Sequence, residues 1–137
     1  MEPRLTSRRW QWVTLTVAVS ALLRCSDANG PTVASCTGPV TLTATSALEP
    51  NFEWTPNCLV DQLTVEEDIA PSAGGPQPRW IIQARVTGRG ARAPLAYGQV
   101  PTPMEEVLTA TPLVAGHEYS VRVYAATVEV GVATFRP

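Results

Sequence analysis

The chain has 137 residues, which is room for one domain and little else. Hydrophobic residues make up 45% and charged residues 16%, a balance that favours a globular chain over a disordered one. Thirteen prolines argue against long helices, and a formal net charge of −2 argues against a nucleic-acid binder. Length and composition also exclude a coiled coil, a multidomain enzyme and a protein with several membrane spans.

The N-terminus has the layout of an export signal over residues 1–24. Arg4, Arg8 and Arg9 form a basic leader, and residues 10–23 form an uncharged apolar run. This run is too short to span a hydrocarbon core of about 30 Å as a stable helix, but it has the length of a signal-peptide core. The alternative is a short buried helix of the fold, which does not account for the basic cluster before it.

Two processing sites fit this layout. Residues 22–25, LLRC, have the outline of a bacterial lipobox, in which Cys25 is lipidated and becomes the new N-terminus, although Arg24 stands where a small residue is usual. Cleavage after Ala28 is the alternative, because residues 26–28, SDA, have a small-x-small pattern. A third possibility is that the segment stays uncleaved as a membrane anchor. We favour lipidation at Cys25, because the small and polar residues 25–38 that follow would then tether the domain to the membrane.

From residue 39 onward, apolar residues alternate with others at the period of a β-strand. Asp61 interrupts the third of these runs, and residues 104–108 are compatible with a helix although the threonines and β-branched residues after them favour a strand. Glycine and proline clusters separate the runs. Six or seven short strands in residues 39–137 predict an all-β, two-sheet antiparallel sandwich. The alternating positions, in chain order, are Val40, Leu42 and Ala44; Phe52 and Trp54; Leu59, Leu63 and Val65; Trp80, Ile82, Ala84 and Val86; Tyr119, Val121, Val123 and Ala125; and Val128, Val130, Val132 and Phe135.

Residues 113–125, LVAGHEYSVRVYA, resemble the signature of a fibronectin type III domain. In that family a leucine (here Leu113) and a glycine turn lead to a tyrosine (here Tyr119) and a strand of alternating valines. The sequence FEWTP around Trp54 resembles the family's second strand, whose tryptophan fills the core. The resemblance covers residues 38–137 and implies an immunoglobulin-like sandwich of about seven strands, in which Tyr119 forms a tyrosine corner by hydrogen-bonding backbone a few residues upstream. Related immunoglobulin-like sandwiches also fit.

Three cysteines are an odd number, which needs an explanation in an exported chain. If Cys25 is lipidated or removed, Cys36 and Cys58 remain and would pair in an oxidising compartment. The pair requires residues 36–39 to run beside the turn that Pro56 begins, with the two Cα atoms within about 7 Å. Two free thiols are the alternative. Two cysteines and a single histidine at unrelated spacing do not make a four-ligand metal site.

Four residues are candidate ligand contacts: Arg85, Arg89, Arg92 and Trp80. The arginines cluster around a glycine turn, where we favour a solubilising loop that also guards an edge strand. The alternative is a patch that binds carboxylates or sulfates of a polysaccharide or a partner protein. Trp80 is a candidate for exposure, where its ring would stack on a sugar.

No catalytic constellation stands out in the sequence. His117 is the single histidine and is expected to face solvent, and the acidic runs at residues 66–68 and 105–106 are expected to form solvated rims. We therefore predict no catalytic residue, no metal and no cofactor.

These observations predict a non-enzymatic interaction or spacer domain that lies outside the cytoplasm. It would be tethered to a membrane by a lipid on Cys25, or else be periplasmic or secreted. The expected partner is an unknown protein or polysaccharide of the cell envelope, and the net acidic charge argues against nucleic acid. A carbohydrate-binding module that uses exposed aromatic and arginine side chains is the alternative.

Overall fold

The computed structural model describes residues 33–137, which form two antiparallel sheets. In the smaller sheet the strand order is β1 (Thr41–Ala44), β2 (Asn51–Thr55) and β5 (Leu95–Ala96). In the larger sheet the order is β6 (Met104–Leu108), β4 (Gln77–Ala84), β3 (Gln62–Glu67), β7 (Tyr119–Ala125) and β8 (Val128–Phe135). The predicted all-β sandwich is confirmed. The additional strand is β5, which is too short to produce an alternating pattern.

The sheets form because one face of each strand is apolar and meets the same face of the other sheet. In the smaller sheet Leu42 lies opposite Trp54 on the neighbouring strand. In the larger sheet Val65 lies between Trp80 on β4 and Val121 on β7. All five side chains are buried, and each such burial contributes about 1.5–3 kcal/mol to folding. The core therefore lies between the two sheets, and polar side chains such as Glu53 lie on the outward faces of the strands.

Tyr119 forms the predicted corner at the start of β7. Its ring is fully buried, and its hydroxyl accepts a hydrogen bond of 2.9 Å from the backbone N–H of Val114. Leu113 is buried beside it, and Trp54 is buried in the opposite sheet. The prediction that Trp54 and Tyr119 fill the core from different sheets is confirmed. The corner ties the loop before β7 to the core, because the hydroxyl of the buried ring accepts a hydrogen bond from the loop backbone.

The Cys36–Cys58 disulfide is confirmed, with a Cα–Cα distance of 5.0 Å. The chain before β1 runs beside the turn after β2, as the pairing requires. The backbone N–H of Cys36 donates to the carbonyl of Leu59 at 2.9 Å, and the N–H of Leu59 donates to the carbonyl of Ala34 at 3.0 Å. Packing of the sandwich therefore begins before residue 39, where the sequence predicts its boundary.

Within residues 33–137 the one helical segment is a 3₁₀ turn at Pro71–Ala73, so this part of the chain has no helix with the length and apolar character to cross a membrane. Residues 104–108 form a strand, as the residues after them favour. The predicted signal peptide, lipidation of Cys25 and cleavage after Ala28 fall outside the described residues.

Candidate interaction surface

A buried carboxylate organises the end of the sandwich at which β3 begins. Asp61 is only 5% exposed. Its Oδ1 accepts a hydrogen bond of 2.6 Å from the backbone N–H of Gly88, and its Oδ2 accepts one of 2.7 Å from the N–H of Ala126. Gly88 lies between β4 and β5, and Ala126 lies in the turn between β7 and β8. One side chain therefore connects two turns that are far apart in the sequence.

In the sequence, Asp61 is visible as a charged residue that interrupts an apolar run, which does not by itself show that the residue is buried. A charged residue at a strand start that continues into a buried face must find hydrogen-bond donors, because burying an unpaired carboxylate is very costly. The donors are backbone groups 27 and 65 residues further along the chain. The sequence pattern marks the residue but does not identify these partners.

Residues 85–92, which we call the arginine loop, are held in place at several points. The N–H of Arg89 donates to the carbonyl of Val86 at 3.0 Å and closes a turn, and Gly88 within that turn has a φ of 80°, which favours glycine. Ala91 exchanges two backbone hydrogen bonds with Val60, at 2.9 and 3.0 Å. The sequence predicts a glycine turn here, and these contacts fix its backbone against the segment before β3.

Gly90 shows how closely the arginine loop approaches the rest of the domain. A Cβ atom at this position would lie 1.7 Å from the carbonyl oxygen of Val60. No other residue fits without moving backbone, so the backbone of the loop lies in direct contact with the segment before β3. The conformation that presents the loop side chains is thus largely set before any partner binds.

The arginine loop carries the cations of the described domain that have no ionic partner. Residues 33–137 contain six arginines and ten acidic residues. Arg85, Arg89 and Arg92 are exposed and take part in none of the ion pairs found in this part of the chain. The other three, Arg79, Arg122 and Arg136, are each paired with glutamate. The structure therefore brings the three arginine candidates together on one anchored connection.

Two exposed valines lie at the same end of the sandwich. Val86 is 58% exposed and stands within the arginine loop, between Arg85 and Arg89. Val128 is 63% exposed and follows the β7–β8 turn that Asp61 holds. The surface at this end combines exposed valines with guanidinium groups that pair with no carboxylate of residues 33–137, and arginine is enriched at protein–protein interfaces.

Trp80 is not exposed, contrary to the prediction. Its side chain is fully buried, with its ring centroid 6.5 Å from that of Phe52 and 5.3 Å from that of Tyr97. Its Nε1 donates a hydrogen bond of 3.2 Å to Glu106. Strand alternation correctly places Trp80 on one face with Ile82, but that face is the one that the other sheet covers.

No aromatic side chain of residues 33–137 belongs to the exposed class, and Tyr97 and Tyr124 are half-buried. Sugar-binding modules commonly stack exposed rings on the ligand. The described surface therefore lacks the exposed aromatic rings on which the carbohydrate-binding alternative depends.

A second charged cluster lies at the opposite end of β3. Glu67 is buried, its Oε1 lies 2.5 Å from Nδ1 of His117, and its Oε2 pairs with the guanidinium of Arg79. The hydrogen bond from His117 holds the pKa of the Glu67 carboxyl below its ordinary value; burial raises it, and Arg79 lowers it further. The expectation that residues 66–68 form a solvated rim is wrong for Glu67, and His117 faces this carboxylate although its side chain is half-exposed.

The Glu67 cluster connects β3, β4 and the loop before β7, so its evident role is to hold that end of the sandwich together. Glu67 accepts a hydrogen bond from His117 and pairs with Arg79, while Nε of Arg79 is buried without a hydrogen-bond partner among the described residues. The described residues contain no group of three histidine, cysteine, aspartate or glutamate side chains arranged to hold a metal ion.

Comparison of this chain with models of known protein families, with curated proteins and with solved structures gave no match.

Proposed function

We propose that the chain is a non-enzymatic interaction domain of the fibronectin type III kind, exported by a bacterium and tethered to its membrane by a lipid on Cys25. The observation that carries the proposal is the arginine loop. It presents Arg85, Arg89 and Arg92, which have no ionic partner among residues 33–137, on a backbone that Asp61 and Val60 hold in place. Unpaired charges on a preformed loop suit binding, because little conformational entropy is lost when a partner is engaged.

The extracytoplasmic location is supported by two independent features. The Cys36–Cys58 disulfide is of the kind that persists in oxidising compartments and is rare in the cytosol. The basic leader and apolar run before Cys25 have the layout of an export signal. Lipidation of Cys25 also accounts for the odd number of cysteines, because it leaves an even pair.

Mass spectrometry of the membrane-extracted protein tests the tether. We expect an intact mass that corresponds to an acylated N-terminal Cys25, and zero free thiols in the denatured, unreduced protein. Replacing Cys25 by serine should release the chain from the membrane fraction. A soluble wild-type species that begins at Asn29 would rule out the lipid tether and leave a secreted or periplasmic domain.

Cross-linking in the native cell envelope tests the interaction role. We expect the full-length, tagged wild-type chain to yield a specific cross-linked component that is absent when the same tag is exported alone. If no component is enriched over that control under several cross-linking chemistries, the interaction role is wrong, and a spacer role remains.

A further inference from the structure

We propose that the arginine loop and the adjoining β7–β8 turn bind an acidic polypeptide segment that also carries apolar side chains. The inference rests on the proposed interaction role and assigns the chemistry of the partner. We use "the docking end" for the surface formed by Arg85, Val86, Arg89, Arg92 and Val128.

The arginines determine the charge of the partner. A guanidinium group offers a planar fork of donors that matches a carboxylate, and Arg85, Arg89 and Arg92 are exposed with no glutamate or aspartate of residues 33–137 paired to them. The remaining arginines of this part of the chain are already occupied. A carboxylate-bearing partner therefore finds its free donors in one place.

The valines favour a polypeptide over a polyanionic glycan. Val86 stands between Arg85 and Arg89 in the chain, and Val128 adjoins the neighbouring turn. Apolar side chains on a partner would remove both valines from water, at about 25 cal/mol per Å² of apolar surface buried. A sulfated or carboxylated glycan offers little apolar surface, so it would leave this part of the docking end unused.

The charge on the rest of the domain limits the partner to a short acidic segment. Residues 33–137 carry four more acidic residues than arginines, so a long polyanion that extends beyond the docking end would be repelled. The buried carboxylate of Asp61 holds both turns, so their side chains are presented together from one rigid base. Because both turns are already held in place, binding a partner costs less conformational entropy than it would for a mobile loop.

The test measures binding of labelled probes to the full-length, membrane-extracted chain by fluorescence anisotropy in about 0.15 M salt. The probes are a short peptide that alternates glutamate with leucine, a peptide of equal length and charge with serine in place of leucine, and a sulfated heparin-type oligosaccharide. We expect the glutamate–leucine peptide to bind about tenfold more tightly than either of the others.

Three variants locate the binding. Joint replacement of Arg85, Arg89 and Arg92 by glutamine should weaken binding of the glutamate–leucine peptide about tenfold or more. Replacing Val86 by serine should remove most of the preference for leucine over serine. Arg136→Gln is the matched control, because Arg136 is also exposed but is paired with Glu118. The affinity of this variant for the glutamate–leucine peptide should stay at the wild-type value. All these residues are exposed, so melting temperatures should change little.

Equal affinity of wild type and the triple glutamine variant would overturn the proposal. So would binding of the oligosaccharide as tight as that of the glutamate–leucine peptide, which would assign the docking end to an anionic glycan. These failures are distinguishable from failure of the interaction role. An envelope component that cross-links equally to wild type and to the triple variant would keep the interaction role and refute the docking end.

Discussion

Replacing Asp61 by alanine should destabilise the domain strongly, although the residue lies outside the apolar core. The substitution removes both carboxylate oxygens, which accept hydrogen bonds of 2.6 Å from Gly88 and 2.7 Å from Ala126. The backbone N–H groups of two turns then lose their acceptor at a site where the side chain was 5% exposed. Water reaches such a site poorly, so the lost bonds are only partly replaced.

The magnitude follows from the two bonds. A hydrogen bond to a charged group contributes about 1.5–3 kcal/mol, so two of them give about 3–6 kcal/mol. Removing the buried charge also removes its desolvation cost, which offsets part of this loss. We expect a net loss of about 2–4 kcal/mol in the free energy of unfolding, a large share of the 5–15 kcal/mol typical of a domain.

Urea-induced equilibrium unfolding of the oxidised full-length chain, followed by far-ultraviolet circular dichroism, measures this loss. Asp68→Ala is the matched control, because Asp68 is exposed and accepts one bond of 3.1 Å from Ser120, so its loss should stay below about 1 kcal/mol. Amide hydrogen exchange at Gly88 and Ala126 should accelerate in Asp61→Ala and not in the control. A loss for Asp61→Ala within about 0.5 kcal/mol of wild type would refute the role of Asp61 as an anchor.

Three other substitutions test the core, the corner and the Glu67 cluster. Trp54→Ala should lower the free energy of unfolding by about 3–5 kcal/mol because it empties a fully packed site, and a melting temperature within a few degrees of wild type would contradict the strand assignment. Tyr119→Phe keeps the ring but removes the hydroxyl acceptor, so urea unfolding should show a loss of about 1 kcal/mol; no measurable loss would argue against the corner hydrogen bond. Because hydrogen bonding from His117 and pairing with Arg79 lower the pKa of Glu67 in the folded state, its stabilising contribution is present above its ordinary value of 4.5 and is lost as pH falls through the lowered pKa. The unfolding free energies of wild type and of Glu67→Gln, measured from pH 7 to acid, should therefore begin to converge as the pH falls below about 4.5 and meet below the lowered pKa, and a constant difference would exclude this linkage.

The sequence alone determined the architecture, because strand structure leaves a local signal. Side chains on a strand alternate between two faces, so the runs around Leu42, Trp54 and Val121 could be identified from their period of two. Tyr119 was recognisable because the residues around it resemble a known corner. The pairing of Cys36 with Cys58 followed from the number of cysteines and the expected compartment.

The clustering of the arginine candidates was also visible in the sequence, since Arg85, Arg89 and Arg92 lie close along the chain. The absence of an ionic partner for them within residues 33–137 was not visible, because a salt bridge depends on residues from other strands. Arg79 is a near neighbour in the sequence, yet it is occupied by Glu67. Which cations of the described domain are available to a partner was decided by the tertiary structure.

Only the tertiary structure decided which polar groups are buried and which aromatic rings are covered. Alternation assigns Trp80 to a face, but whether that face meets water depends on a sheet formed by other parts of the chain. The sequence pattern marks Asp61 as an interruption of an apolar run and places Glu67 in an acidic run, but it does not show what surrounds either side chain. Both are buried, and their hydrogen-bond donors come from distant turns and strands. Local pattern determines the direction in which a side chain points, and the meeting of distant segments determines what it finds there.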